Sequence, residues 1–558
     1  RPLLSSLLHS AACIHRMEDM PMVTYQGNAL CQAVKLEGLS SGSERRLEDR
    51  FRHLLEHNGP EFIVDTLKVL KQHCIDNLDG PLPYSQDRYG YPYISWNKHK
   101  DRPRGGLGVI YTEFKDPRKR LRVIGAVINT IELDQPTEKQ VERFMTGVEY
   151  NNRTDSSVVA QVSIMEKFRL ADKLAGALRR AKPYSGTDLT GSVIPEGLEQ
   201  KGIAKFVKTL SDHRKHNPDE RSLAIANMEE AFTNQCYLAP KPVHDYVRDH
   251  IIPRAREAAW GSKFAYLKRP TPIKARPYDG NTKFGLHIED YRPYVGTISM
   301  LQQPGAKLRT VVNVNRYVNY AMDPFAKAME DAFYGEPQIS VLDQESGMRW
   351  AQDQLKAGRR LASIDLSQAT DLLDFRVLTR ALRYDDPKWE KEVDLNATLD
   401  LFSYIAESPF YQPDLQVGVT MNTGQPLGLK GSFQMLTVMN YLAGRQACLD
   451  AGLKDLPFRV VGDDMIIDDR AAERYSEIVT SWSGKTNYEK MLSSNRYAEF
   501  CSHIITRDSI TSMKPHYIAG YTNVYRNAQK TSYERISKVY RLTEQDKTNL
   551  LALAQAGN

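Results

Sequence analysis

Residues 458–469, FRVVGDDMIIDD, set two short apolar runs on either side of Gly-Asp-Asp. Apolar segments joined through so short a Gly/Asp linker fold back on themselves as a β-hairpin. The hairpin then carries Asp463 and Asp464 side by side at a turn between segments that need burial. Adjacent carboxylates repel, and more strongly where water is scarce. Either this pair faces solvent or a cation sits against it, and other parts of the chain must decide which.

SIDLSQATD (363–371) supplies two more acids: Asp365 ends the strand-like LASIDL (361–366), and Asp371 opens the helix-like DLLDFRVLTRALRY (371–384). If that strand pairs with the hairpin, Asp365 meets Asp463 and Asp464. Three carboxylates at the ends of rigid strands call for cations. Where phosphate is the other ligand, a pair of Mg²⁺ ions roughly 3.5–4 Å apart is the usual answer. Between these segments, the Gly-rich loop TGQPLGLKG (423–431) feeds the helical pattern SFQMLTVMNYLAGRQACLDAG. Strand, helix, loop, helix and hairpin in this order describe an α+β unit with a mainly antiparallel sheet.

Upstream, two helical patterns in 44–77 are interrupted by Asn58-Gly59-Pro60, and 135–182 and 221–258 are also largely helical in pattern. DPRKRLR (116–122) reads as a solvated charged face. Residues 254–283 interleave cations, among them Lys268, Arg269, Lys274 and Arg276, with Trp260, Phe264, Tyr266 and Tyr278. Cations track a phosphate backbone and aromatic rings stack on unpaired bases, so this stretch suits single-stranded nucleic acid; equally, it suits a basic loop whose rings face the core. A net charge of +6 permits a polyanionic partner without requiring one. The six cysteines are scattered, with no Cys-x-x-Cys, and read as reduced core residues. No apolar run approaches the roughly 18 residues of a membrane span. RPLLSSLLHSAACIHRM at the start shares its composition with organelle transit peptides, a composition short segments also reach by chance.

The set SIDLSQATD, TGQPLGLKGSF (423–433), VVGDDMII (460–467), TNYEK (486–490) and AEFCSHII (498–505) resembles the palm motifs of viral RNA-dependent RNA polymerases, most closely the narnavirus, mitovirus and ourmia-like group, with levivirus replicases more distant. PGAKLRTVVNVNR (304–316) is similar to the family's basic fingers motif, and HNGPEFIVDTLKVLK (57–71) to an N-terminal segment of that group. The resemblance implies a right-hand polymerase: a helical N-terminal region (1–240), fingers (241–360), an antiparallel palm (361–505) and a short thumb (506–558). It implies replication of a positive-strand viral RNA genome, from NTPs on a single-stranded RNA template, with Mg²⁺ as cofactor and Mn²⁺ able to substitute. The host cytoplasm is the expected location, or the mitochondrion if the chain is mitovirus-like.

The same resemblance distributes roles. Asp365, Asp463 and Asp464 would hold the ions and Lys490 would protonate pyrophosphate. Lys307 and Arg309 alternate along a strand and would grip the triphosphate, with Asp371 near the ribose. Gly424, Gln425, Gly428 and Ser432 would form the template-side loop, and Glu499, Phe500 and His503 the hairpin supporting the primer end. The family's Asn four residues after the loop serine is Leu436 here, which leaves Gln434, Thr437 or Asn440 for ribose selection. A reverse transcriptase shares this chemistry, but its loop places Gln just before a Gly, whereas here Gln425 follows Gly424. A non-catalytic RNA-coating protein is the other alternative.

Overall fold

Asn58-Gly59-Pro60 interrupts the first long helical stretch, as the sequence predicts, so that two helices meet at a kink. Helix α1 (Ser41–Asp76) runs 36 residues, with Gly59 at φ 78° and ψ 172° inside it. The left-handed φ suits glycine and Pro60 has no N–H to lose, so the kink falls where it costs least. The computed structural model describes residues 37–78, 94–97, 102–154 apart from 132 and 134, 164–180, 241–246, 295–383 apart from 315, 395–487 and 491–513, with Leu30, Cys31 and Val34.

Helix α2 (Pro117–Thr130) begins at Asp116, whose carboxylate accepts the Arg118 N–H. Its DPRKRLR segment is more than a solvated face. Lys119 and Arg122 reach the Glu37 carboxylate at 2.7 and 2.8 Å, and the Glu37 side chain is only 2% exposed. Arg122→Ala is expected to cost about 2–4 kcal/mol, because a buried carboxylate loses a guanidinium partner at 2.8 Å. Arg118→Ala, which removes a surface pair, should cost far less. Thermal melting of the two variants checks this; equal losses would contradict it.

The α1–α2 core, with Phe51, Leu67, Ile124 and Val127, also takes in Tyr497, Ile504 and Met513 from near the other end of the described chain. A Cβ on Gly125 would stand 1.8 Å from the Met513 carbonyl oxygen, so backbone meets backbone there. Helix α3 (Glu138–Glu149) opens with a reciprocal Thr137–Gln140 capping box. Helix α4 (Ile164–Arg180) packs on α5 (Arg316–Phe333). Between them in sequence, β1 (Gly296–Gln303) and β2 (Lys307–Val314) form an antiparallel hairpin.

Helix α6 (Gln344–Lys356) precedes β3 (Leu361–Ile364). The single helix expected over 371–384 is broken into a turn at Ala369–Leu372 and a second piece at Arg376–Leu382. Asp374 is the reason: fully buried, it accepts the Arg376 N–H at 3.1 Å, the Thr154 N–H at 2.9 Å and the Arg376 guanidinium at 2.7 Å. A side chain that bonds nearby backbone groups this way competes with the helix.

Helix α7 (Leu395–Ala406) leads to β4 (Phe410–Gln412) and β5 (Val417–Val419), which extend the hairpin into a sheet ordered β2-β1-β4-β5. Helix α8 (Ser432–Asp450), β6 (Phe458–Val461), β7 (Asp464–Asp468) and α9 (Asp469–Ser481) follow, then β8 (Leu492–Ser494). The central sheet runs β8-β3-β7-β6 and every pairing is antiparallel. Helix α8 is buried on nearly all sides, between the sheet, α9 and α5. Gly444 allows that approach: a Cβ there would lie 2.8 Å from Met465 Cε and 3.0 Å from Phe458 Cδ2.

A third sheet, β9 (Tyr497–Phe500), β10 (His503–Thr506) and β11 (Ile510–Ser512), carries sheet structure past residue 505, where the palm was expected to end. Helix α6 packs on β10 and β9, although sequence placed it with the fingers. Residues 514–558, expected as thumb, lie outside the described residues. No described helix is long and apolar enough to cross a membrane.

Candidate active site

Strand register assembles the carboxylates. Ile364 pairs with Met465 and Val461 with Asp464. One step past Ile364, Asp365 therefore stands opposite Asp464, and Asp463 occupies the adjoining two-residue turn. Gly462 takes φ 58° at the first turn position, as a tight hairpin turn requires. Asp463 is exposed, while Asp365 and Asp464 are half-buried.

Two neighbouring groups register this negative charge. The Cys501 thiol is pushed up to about 12, by burial first and then by Asp464 and Asp463. The fully buried Tyr475 phenol is also pushed far up, by burial and then by Asp463, with Asp365 adding to it and a hydrogen bond to Asn440 opposing. Each of the three carboxylates is felt by at least one of these two groups, and Asp463 by both. Their oxygens are more widely spread than the one compact trio of possible ligands among the described residues, Cys31, Glu44 and Glu48, whose ligand atoms lie within 4.8 Å of one another. An all-carboxylate donor set suits hard cations such as Mg²⁺ or Mn²⁺.

Asn440 turns out to brace this turn. Its Nδ2 donates to the Gly462 carbonyl at 2.9 Å, and its Oδ1 accepts the Tyr475 hydroxyl. With both ends engaged and 1% exposure, Asn440 holds the Gly462–Asp463 turn and does not face a ribose as expected. Gln434 reaches instead to Glu330 on α5 (2.7 Å), and the Thr437 hydroxyl donates to the Phe433 carbonyl at 2.8 Å.

The glycine loop is fixed to its own chain. A Cβ on Gly424 would lie 2.0 Å from the Thr370 carbonyl oxygen and 2.4 Å from the Asp371 carbonyl carbon. The Gln425 N–H donates to that same Thr370 oxygen at 2.7 Å. Gly428 has φ 101°, and a Cβ there would stand 2.8 Å from the Val312 oxygen on β2; the Val312 N–H donates to the Leu427 carbonyl at 2.8 Å. These glycines therefore admit the Asp371 segment and the basic strand, where template was expected.

Gln425 and Ser432 are buried, which corrects their assignment to the template surface. The Gln425 amide donates to the Ser432 carbonyl, and the Ser432 hydroxyl to the Pro426 carbonyl, both at 3.0 Å. Helix α8 opens at Ser432, with Gly431 (φ 95°) as its N-cap.

Asp371 is half-buried at the loop's edge. Burial raises its carboxyl above the ordinary range, against hydrogen bonds from Gln368 and Thr370 and the charge of Arg143. Lys307 is exposed and Arg309 half-buried at alternate positions of β2, so both project from one face. Arg309 Nε donates to Gln303 Oε1 at 2.5 Å.

Glu499 is half-buried, with its N–H donating to the Ser363 hydroxyl at 2.9 Å and Lys71 at 3.7 Å. Phe500 is 1% exposed and belongs to the core behind the sheet, so it does not meet a primer. His503 Nδ1 bonds the Cys501 carbonyl at 2.8 Å across a turn in which Cys501 and Ser502 both have positive φ, 49° and 60°. Lys490, Lys268, Arg269, Lys274 and Arg276 lie outside the described residues. Sequence reasoning passed over Tyr475, which looks like any core aromatic on an amphipathic helix, and Arg143, an ordinary cation on α3.

An antiparallel sheet that gathers carboxylates at one end, backed by a buried helix and a glycine loop fixed to the first carboxylate segment, is the arrangement expected of a right-hand polymerase palm. Residues 396–556 match the family model described as Mitovirus RNA-dependent RNA polymerase, less than a third of the chain. Over those residues the chain is similar to the viral RNA-dependent RNA polymerases of mitovirus type. No protein of curated function matches it.

Among solved structures, the RNA-dependent RNA polymerase of a human picorbirnavirus is similar at 12% identity and a TM-score of 0.33, covering 47% of this chain and 56% of its own. An insertion-loop deletion mutant of that polymerase gives 10% and 0.36, covering 77% and 92%. The BmCPV RNA-dependent RNA polymerase at elongation state gives 10% and 0.47, covering 95% and 48%. The chain thus spans little more than half the length of the first of these and about half of the last.

Proposed function

We propose that this protein copies a single-stranded RNA template, adding ribonucleotides from NTPs to an RNA 3′ end and so replicating a positive-strand viral genome. The observation that carries the reading is the register that sets Asp365 opposite Asp464 beside Asp463. The 3′-oxygen attacks the α-phosphorus, the bond to the β-phosphate oxygen breaks, and pyrophosphate leaves. Asp365, Asp463 and Asp464 would hold two divalent cations, Mg²⁺ or Mn²⁺, which when bound make the 3′-hydroxyl nucleophilic and offset the charge of the leaving group. Lys490 is the proposed donor of a proton to pyrophosphate.

The protein's own residues supply position, on which phosphoryl transfer chiefly depends. Asn440 and Tyr475 hold the catalytic turn. Gly424 keeps the loop against Asp371, which is proposed to meet the ribose 2′-hydroxyl. Lys307 and Arg309 face the triphosphate. Replacing both cations with alanine is expected to raise the KM for NTP by about 10- to 100-fold, the loss of charge-assisted bonds, with RNA affinity little changed. Initial rates against NTP concentration read this, and unchanged KM would remove both residues from the site.

A short RNA template with four NTPs and Mg²⁺, run beside a dNTP control and an Asp365→Ala protein, tests the function. Template-complementary RNA from the unaltered protein alone, and only with NTPs, is expected. Product from dNTPs would make the protein a reverse transcriptase. Tight RNA binding without product would make it a coating protein.

A further inference from the structure

Helix α3 belongs to the N-terminal region, which carries none of the candidate site residues expected from the motifs, yet it lies along the nucleotide side of the candidate site. Gln140, Arg143 and Gly147 are spaced i, i+3 and i+7 and so share one helix face. At one end of that face, Gln140 Nε2 donates to the Ala306 carbonyl at 2.9 Å, and Gln140 Oε1 accepts from Gln302 Nε2 at 2.7 Å. The helix thus holds the turn of the β1–β2 hairpin immediately before Lys307. At the other end, a Cβ on Gly147 would stand 2.8 Å from Gln368 Nε2 and 3.2 Å from Asp371 Oδ2. The helix rests there against the ribose-side carboxylate.

Seven residues of helix rise about 10 Å, a span on the scale of a nucleotide extended from ribose to phosphates. Arg143 lies between the two ends and is exposed. Its charge reaches Asp371, lowering a carboxyl that burial raises. We propose that Arg143 binds the incoming ribonucleoside triphosphate, as a third cation beside Lys307 and Arg309, contributed by the N-terminal region. The proposal rests on the polymerase reading and names a substrate contact within it. A guanidinium presents a planar fork that fits two phosphate oxygens at once, so lysine at 143 would keep the charge and lose the fit.

The competing role is purely internal: Arg143 offsets the Asp371 charge and touches no substrate. Equilibrium binding of a fluorescent GTP analogue to the full chain separates the two. Arg143→Ala is expected to weaken binding by about 10- to 100-fold, as loss of charge-assisted bonds implies. Arg143→Lys should fall between that variant and the unaltered protein, with RNA affinity and melting temperature unchanged. Initial rates should show the KM for NTP rising by a similar factor while kcat holds.

Unchanged analogue binding by Arg143→Ala would overturn the proposal. So would an Arg143→Ala effect that disappears in an Asp371→Asn background, since the arginine would then serve only the carboxylate. If Arg143→Ala proves unstable, Arg143→Gln repeats the comparison with most of the side chain retained. Absence of templated product from the unaltered protein would refute the polymerase reading; product with an unmoved KM in Arg143→Ala would refute the Arg143 assignment alone.

Discussion

Asp463→Ala is expected to lower nucleotide addition by about 10³-fold or more while RNA affinity holds, the scale of loss when a group that stabilises transition-state charge is removed. Asp463 is exposed at the tip of a two-residue turn, so its removal uncovers no core. Removing it also relieves repulsion from Asp464 and Asp365, and the melting temperature should hold or rise slightly. Loss of activity with retained or improved stability is the mark of a site whose charges serve function against the fold. Primer extension beside a melting curve reads both. Elongation at a normal rate would take Asp463 out of the chemistry, and a collapsed melting temperature would make it a structural residue.

Gly424→Ala is the second large effect, and it acts through the fold. The added methyl would sit 2.0 Å from the Thr370 oxygen and 2.4 Å from the Asp371 carbonyl carbon, both backbone atoms that cannot rotate aside. The loop must withdraw, breaking the 2.7 Å bond from the Gln425 N–H to Thr370. The expected cost is about 3 kcal/mol or more, from overpacking plus a buried bond lost. Because Asp371 moves with Thr370, preference for NTP over dNTP should fall in whatever protein remains folded. Gly42→Ala is the control, since a Cβ there meets nothing within 4 Å. Denaturant unfolding gives the comparison, and a Gly424→Ala loss no larger than the control's would show that the loop yields freely.

The hairpin, its acids and the glycine loop could be read directly because each is a local pattern: apolar runs around a turn, and glycines ahead of a helix. What those residues touch could not be read. Nothing around Gly424 announces that its neighbour is Thr370, and nothing in α8 says that Asn440 will span Tyr475 and the Gly462 carbonyl. The expected helix at 371–384 failed because Asp374 is satisfied by the Thr154 N–H, a partner far away in sequence. Phe500 and Ser432 were assigned to RNA on the strength of resemblance, and only packing reveals that both are buried. DPRKRLR looked solvated because its buried partner, Glu37, lies in another segment. Local pattern fixed the elements, while side-chain roles came from contacts distant in sequence.

Asp365, Asp463 and Asp464 are proposed to form jointly a cation site for nucleotidyl transfer. Anomalous diffraction from crystals soaked with Mn²⁺ and a non-hydrolysable NTP measures this directly. Two peaks about 3.5–4 Å apart, in ligating contact with Asp365 and Asp463, are predicted. Nucleotide bound with no peak between the two strands would contradict a cation site there.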